Sequence, residues 1–328
     1  MSKLETIMVV MPPQRQATPA LHRAAAYARR TQAQLQLCLF DYYAPIDHSG
    51  TIFGAEVAER ARRDFLDERL HWLSELASGL SEQGLRVECD AIWAPHPHKA
   101  IIGKILQLKA GLVLKDVECA SDEDATLHPS ALDSKLLRLS PAPLMLVHPH
   151  AKLLPHRLLV AVDVLMGNEP GQLNDRILEG GYACAALSGA EADVLSVFSY
   201  VPVEAYGSGF IADTYDIMDN AHREALQGFA ARHRLNPNCL LRRSAFDAAA
   251  AIAECARERA SDLVVLGSAY HSGLDRLMFG TTAEALMRKL ACDVLLVKPD
   301  GFVDELLKHV DLPRVPVQHE YEASKEAA

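Results

Sequence analysis

The chain has 328 residues, of which 49% are hydrophobic and 23% charged, the balance of a soluble globular protein long enough for two domains. Its net charge of −10, from 43 acidic against 33 basic residues, argues against a general nucleic-acid binder, which needs basic patches to displace counterions from phosphates. No stretch approaches the ~20 apolar residues of a membrane span. The opening Met1-Ser-Lys-Leu-Glu-Thr has no apolar signal core, and the seven scattered cysteines form no C-x-x-C pair, so reduced thiols in a cytoplasm are expected.

Taken in chain order, the first strand-like run is Ile7–Met11, followed much later by Leu112–Asp116 and by Leu144–Pro149. Each returns in the second half: Leu158–Asp163, Leu263–Gly267 and Val294–Pro299, at offsets of 152, 151 and 150. Three apolar runs in one order at nearly constant offset indicate a tandem duplication, far too long in period for a solenoid. The join falls near His148–His156, giving expected domains at 1–151 and 152–304, with a poorly ordered tail at 305–328.

The second half spells out the pattern most clearly. Leu158–Val162 lacks polar alternation, which suits a parallel strand covered on both faces. A helix over about 172–188 ends near Gly189, and the strand Asp193–Phe198 follows. A Pro-, Gly- and Tyr-rich loop leads to a helix over about 213–233, then a strand at Cys239–Ser244. Asp247–Arg259 is Ala-rich and helical, with Asp247 as N-cap. Leu263–Leu266 is a strand, Thr282–Leu290 a helix and Val294–Val297 the last strand. The first half repeats this order. The fold class expected is α/β: two doubly wound, Rossmann-like domains, each a five-stranded parallel sheet with helices on both faces.

In such folds ligands bind at the carboxyl ends of the strands. Asp163 ends the first strand of the second half, Gly267-Ser-Ala-Tyr-His-Ser-Gly273 follows the fourth, and Gly280-Thr281-Thr282 opens the last helix. Glycines let backbone amides approach a phosphate, and a helix N-terminus supplies free N–H groups. Thr281 and Thr282 add hydroxyls, and a strand-end carboxylate accepts from an adenine amino group. A purely structural account also fits: the glycines shape turns, and Thr281-x-x-Glu284 is a capping box.

On these residues the chain resembles tandem universal stress proteins. Nucleotide-binding members carry Gly-x-x-Gly, nine residues, then Gly-Ser/Thr, with an Asp at the first strand end. Gly267-Ser-Ala-Tyr270, nine residues and Gly280-Thr281 match that spacing, except that Tyr270 replaces the second glycine, with Gly273 three residues on. The resemblance implies ATP or AMP in the second domain only, through Asp163, Val197, Gly267, Tyr270, Gly273, Gly280, Thr281 and Thr282. It also implies a role in stress resistance, including tolerance of DNA-damaging agents, and pairing of the two halves as an intramolecular pseudo-dimer, with further homodimerisation left open. A slow ATPase and a module for a lipid-like ligand or protein partner are the rival readings.

The first half departs from the motif. Met11 stands at the Asp position, Asp116 at the glycine position, and the following loop carries Glu118, Asp122, Glu123 and Asp124. Five carboxylates repel a triphosphate. They suit a hard cation in type, but not in any EF-hand spacing, so no metal is expected. His96-Pro-His98 and His148-Pro-His150, with His156 behind, hold zinc-ligand types in an awkward extended geometry. Arg276 is a further candidate for phosphate. Enzyme signatures such as G-x-x-x-x-G-K-[ST], G-x-S-x-G and H-E-x-x-H do not occur, and no catalytic residue is assigned.

Overall fold

A computed structural model describes residues 4–117, 126–165, 172–199, 210–268 and 285–310. Ten strands form one sheet. Those of the first half are β1 (Thr6–Met11), β2 (Gln34–Asp41), β3 (Val87–Trp93), β4 (Leu112–Asp116) and β5 (Leu144–Val147). Those of the second are β6 (Arg157–Val162), β7 (Glu191–Ser199), β8 (Leu240–Ala245), β9 (Leu263–Gly267) and β10 (Asp293–Val297). The spatial order is β3-β2-β1-β4-β5-β10-β9-β6-β7-β8, so each half has the doubly wound order 3-2-1-4-5. Every neighbouring pair is parallel except β5 and β10, which meet antiparallel with Met145 opposite Leu295.

The helices are α1 (Pro19–Thr31), α2 (Ala44–Phe53), α3 (Ala55–Glu82), α4 (Pro97–Leu108), α5 (Ala131–Leu139), α6 (Leu173–Ser188), α7 (Phe210–His233), α8 (Ala248–Glu258) and α9 (Phe302–His309). Residues of α1, α3, α6 and α7 bury against one face of the sheet, and those of α4, α5, α8 and α9 against the other. Two covered faces explain the unbroken apolar runs. Along β1, Ile7, Val9 and Met11 enter one core while Met8 and Val10 enter the other.

Local chemistry sets the helix ends. The Thr18 hydroxyl accepts the Leu21 N–H to cap α1, and Ser130 and Asp133 form a reciprocal capping box on α5. Asp247 caps α8 as expected, accepting from the Ala250 N–H at 3.1 Å. Gly189 ends α6 in the left-handed region at φ 71°, where glycine has no Cβ to clash.

Three elements differ from expectation. Helix α2 buries none of its residues, so it has no apolar period to announce it. Helix α9 crosses the expected domain end at 304, because Phe302 and Leu306, one turn apart, are both buried. Strand β8 starts one residue later than expected, behind a 3₁₀ turn at Pro237–Cys239.

The halves meet through more than the β5–β10 pair. Arg23 on α1 forms an ion pair with Asp293 on β10, the side chains 1% and 2% exposed. The same guanidinium donates to the backbone carbonyls of Lys152 and Leu153 in the join, while Asp293 Oδ1 accepts the His148 N–H at 2.7 Å. Lys298, after β10, donates from Nζ to the carbonyls of Leu137 and Arg138 at 2.7 and 3.0 Å, closing the C-terminus of α5. Burial pulls its ammonium down to about 7.

Candidate functional site

The carboxyl edge of the second half is assembled by strand register. Val162 pairs with Ser196 and Val160 with Val265, which sets Asp163 level with Val197 on β7 and with Ser268 just past β9. This row straddles β6 and β9, where the strand order reverses, the place a doubly wound sheet opens a crevice. Asp163 is exposed, Val197 partly buried and Ser268 buried, its N–H donating to the Val297 carbonyl at 3.1 Å.

A side chain without a role in the sequence reading positions Asp163. Asn174, in the first turn of α6 and 4% exposed, accepts the Asp163 N–H at 3.0 Å and donates to the Asp163 carbonyl at 2.6 Å. Both backbone groups of Asp163 are thereby tied to α6, and the Asp163 carboxylate accepts the Leu165 N–H at 3.2 Å. The clamp presents the carboxylate at the strand end without burying it. The one available signal was an Asn close behind a strand end, which reads equally as a solvated helix start.

Gly267 has a packing reason to be glycine. A Cβ there would come within 2.5 Å of Ile177 Cδ1 and 2.7 Å of Leu173 Cγ. Its bare Cα lets α6 seat directly on the end of β9, and α6 in turn carries the Asn174 clamp. Tyr270, Gly273, Arg276, Gly280, Thr281, Thr282 and Glu284 lie outside the described residues.

Behind the row, on the α7 side, lies a buried polar pair. Ser196 Oγ and His222 Nε2 are 2.8 Å apart, with the residues 0% and 1% exposed. Burial lowers the His222 imidazole below its ordinary range, Arg242 adding to this and Asp163 and Asp219 opposing it. Its Nδ1 is buried with no hydrogen-bond partner among the described residues.

The first half presents different chemistry at the corresponding edge. Met11 is buried. The Asp116 carboxylate accepts the Ala20 N–H at 2.9 Å, so it sits on the N-terminus of α1 beside the Thr18 cap. Burial raises its carboxyl, against the pull of Thr18 and Ala20. Asp116 is thus occupied by a helix end, while the rest of the acidic run (Glu118, Asp122, Glu123 and Asp124) lies outside the described residues. No group of three or more His, Cys, Asp or Glu able to hold a metal is present among the described residues. His96 is the N-cap of α4 and His98 lies in its first turn, whereas His148 is buried beyond β5 and its Nδ1 accepts the His150 N–H at 3.1 Å. The two His-Pro-His triplets therefore lie beyond different strands, β3 and β5.

No helix among the described residues is long and apolar enough to cross a membrane. Residues 155–298 match the universal stress protein family model. Universal stress protein E of Photorhabdus laumondii is 25% identical over 317 residues, covering 92% of this chain and 97% of that protein. A crystal structure of a functionally unknown protein from Pseudomonas aeruginosa PAO1 superposes with a TM-score of 0.72 at 25% identity, covering 93% of this chain and 96% of that one. A universal stress protein from Archaeoglobus fulgidus shares the fold at a TM-score of 0.56 and 15% identity, covering 91% and 99%. The second half thus matches the universal stress protein family model, and the chain is similar along nearly its whole length to universal stress protein E.

Proposed function

We propose that the second half binds an adenine nucleotide, ATP or AMP, at the carboxyl edge of β6, β7 and β9, and that the protein acts by ligand binding in cytoplasmic stress resistance, including tolerance of DNA-damaging agents. The observation that carries this reading is the exposed Asp163 carboxylate, clamped by Asn174 at the point where strand order reverses. A carboxylate there accepts from an exocyclic amino group, and Val197 offers apolar surface to a base. Gly267, Tyr270, Gly273, Gly280, Thr281 and Thr282 complete the proposed set, the last two where the sequence pattern is expected to open a helix suited to phosphate. The first half, with Met11 and Asp116 in the corresponding places, serves as an intramolecular partner through the β5–β10 pair. Native mass spectrometry of freshly purified protein tests the proposal: a co-purifying or added adenine nucleotide at one per chain supports it, and a different bound molecule displaced by no nucleotide overturns it.

A second reading, an apolar small ligand, draws on one observation. A cavity of about 480 Å³ between α8 and residues 289–292 has a floor of alanines, among them Ala253 and Ala256, with Leu290 and Cys292, and carries Glu254, Arg257 and Lys289 in its lining. The same spectrum distinguishes the two by the mass of what is bound.

A further inference from the structure

We propose that the turn between α2 and α3 is a docking surface for a second copy of this chain, met in a two-fold, antiparallel contact. It lies on the first half, where α3 packs on the edge strand β3, away from the second-half edge proposed for a nucleotide. Strands β5 and β10 already pair with each other, so a further copy needs a surface outside that seam.

Exposure marks the surface. Five of the twelve large hydrophobic side chains exposed among the described residues lie between Tyr42 and Val57. Ile52 and Phe53, ending α2, are 72% and 69% exposed, and Val57, in the first turn of α3, is 47% exposed. A fixed platform holds them out. The two helices meet so closely that a Cβ on Gly50 would come within 3.0 Å of Ala58 Cβ. Arg62 on α3 donates from Nε to the Asp47 carboxylate of α2 at 2.9 Å, and the Tyr43 and Phe65 rings stack with centroids 6.2 Å apart. Gly54 turns the chain at φ 95°, a conformation that residues with a Cβ rarely adopt. Helix α2 buries none of its residues, so the apolar pair at its end is left for a partner to cover.

The size and charge of the patch fit a second copy. At the ~150–250 Å² an aromatic side chain can bury, and less for isoleucine and valine, the exposed fractions of Ile52, Phe53 and Val57 leave roughly 300 Å² of apolar surface per copy. Two facing copies supply roughly 600 Å², and at an apolar share of about 57% that makes roughly 1,000–1,100 Å² in all, the small end of specific interfaces and a dimer of micromolar affinity. On the solvent face of α3, Glu56, Arg60 and Arg63 are exposed and make no ion pair among the described residues. Glu56 and Arg60 lie one helical turn apart. An antiparallel pairing centred near Val57 puts Glu56 of each copy beside Arg60 of the other, and Phe53 towards Arg63, whose guanidinium suits an aromatic face. A parallel pairing sets Glu56 on Glu56 and Arg60 on Arg60, which repel. Because both copies use the same patch, the assembly closes at two.

The test is sedimentation velocity of the full chain from about 10 to about 200 μM, for wild type, Phe53→Glu, Arg60→Glu and the charge swap Glu56→Arg with Arg60→Glu. All the substituted positions are exposed, so no core contact is lost, and circular dichroism checks folding. Wild type is expected to pass from one chain to two over this range. Phe53→Glu stays a single chain throughout, Arg60→Glu dissociates about tenfold more readily, and the charge swap returns to within about threefold of wild type. Wild type that remains a single chain at about 200 μM, or a dimer that Phe53→Glu leaves intact, overturns the docking surface. A charge swap as weak as Arg60→Glu alone overturns the antiparallel pairing, and a mass that grows beyond two chains overturns the two-fold closure.

Discussion

Replacing Arg23 by methionine removes the cation at the centre of the contact between the halves. The two carboxylate oxygens of Asp293 then retain one partner in this network, the His148 N–H, in a site where the Asp293 side chain is 2% exposed. The carbonyls of Lys152 and Leu153 lose a donor at the same time. Breaking a buried pair from one side costs about 3–5 kcal/mol, because the remaining charge stays desolvated. The pH dependence has a definite sign. Burial already raises the Asp293 carboxyl above its ordinary value, with Arg23 pulling it down. Without Arg23 the folded-state value rises further, so the variant's deficit is smallest in acid, where the carboxyl is neutral, and grows as pH rises. Asp293→Asn in the same background removes the charge and keeps an acceptor for His148, and should recover roughly 1–2 kcal/mol of the loss. Urea unfolding followed by circular dichroism at pH 5 and pH 8 measures all three proteins. A loss below about 1 kcal/mol at pH 8, or a double variant no more stable than the single one, refutes the assignment of this pair.

Other outcomes follow from single residues. Gly267→Ala should cost about 1–3 kcal/mol through overpacking against Leu173 and Ile177, and pairing it with Leu173→Ala should recover part of that; an unchanged melting temperature contradicts the close seating of α6. Asn174→Leu strands the Asp163 N–H and carbonyl and should cost about 1–3 kcal/mol in urea unfolding, while also weakening ligand binding; a fully stable variant that binds normally removes the clamp from the account. Lys298 is depressed to about 7, so between that value and the unfolded one the unfolded chain binds more protons and stability rises with pH. Wild type should therefore gain on Lys298→Met as pH rises from 7 to 10, by at most about 1.4 kcal/mol per pH unit, and parallel stability curves contradict it.

The architecture was legible because the strands are buried on both faces. Ile7–Met11 and Leu158–Val162 carry no polar alternation to obscure them, and their return at near-constant offset exposed the duplication. What stayed hidden lacked either burial or periodicity. Helix α2 touches no core, and α9 is only eight residues long with two buried side chains. In the site, Asp163 was visible from its place at a strand end. Asn174 was not, since a polar residue in a first helical turn usually faces water, and only the fold brings it back onto Asp163 eleven residues earlier. Gly267 draws attention as a phosphate-loop glycine, yet its missing Cβ is explained by Leu173 and Ile177 of α6, about ninety residues earlier in the sequence. His222 and Ser196 sit twenty-six positions apart on a helix and a strand, so neither carries a signal alone.

The central claim is an adenine nucleotide on the Asp163 edge of the second half. It is tested most directly by titrating the purified chain with a fluorescent ATP analogue, for wild type and Asp163→Ala, with unlabelled AMP as competitor. Saturable binding at one site per chain, displaced by AMP and weakened at least tenfold in the variant, is the predicted result. No binding at millimolar ligand, or equal binding by Asp163→Ala, contradicts it.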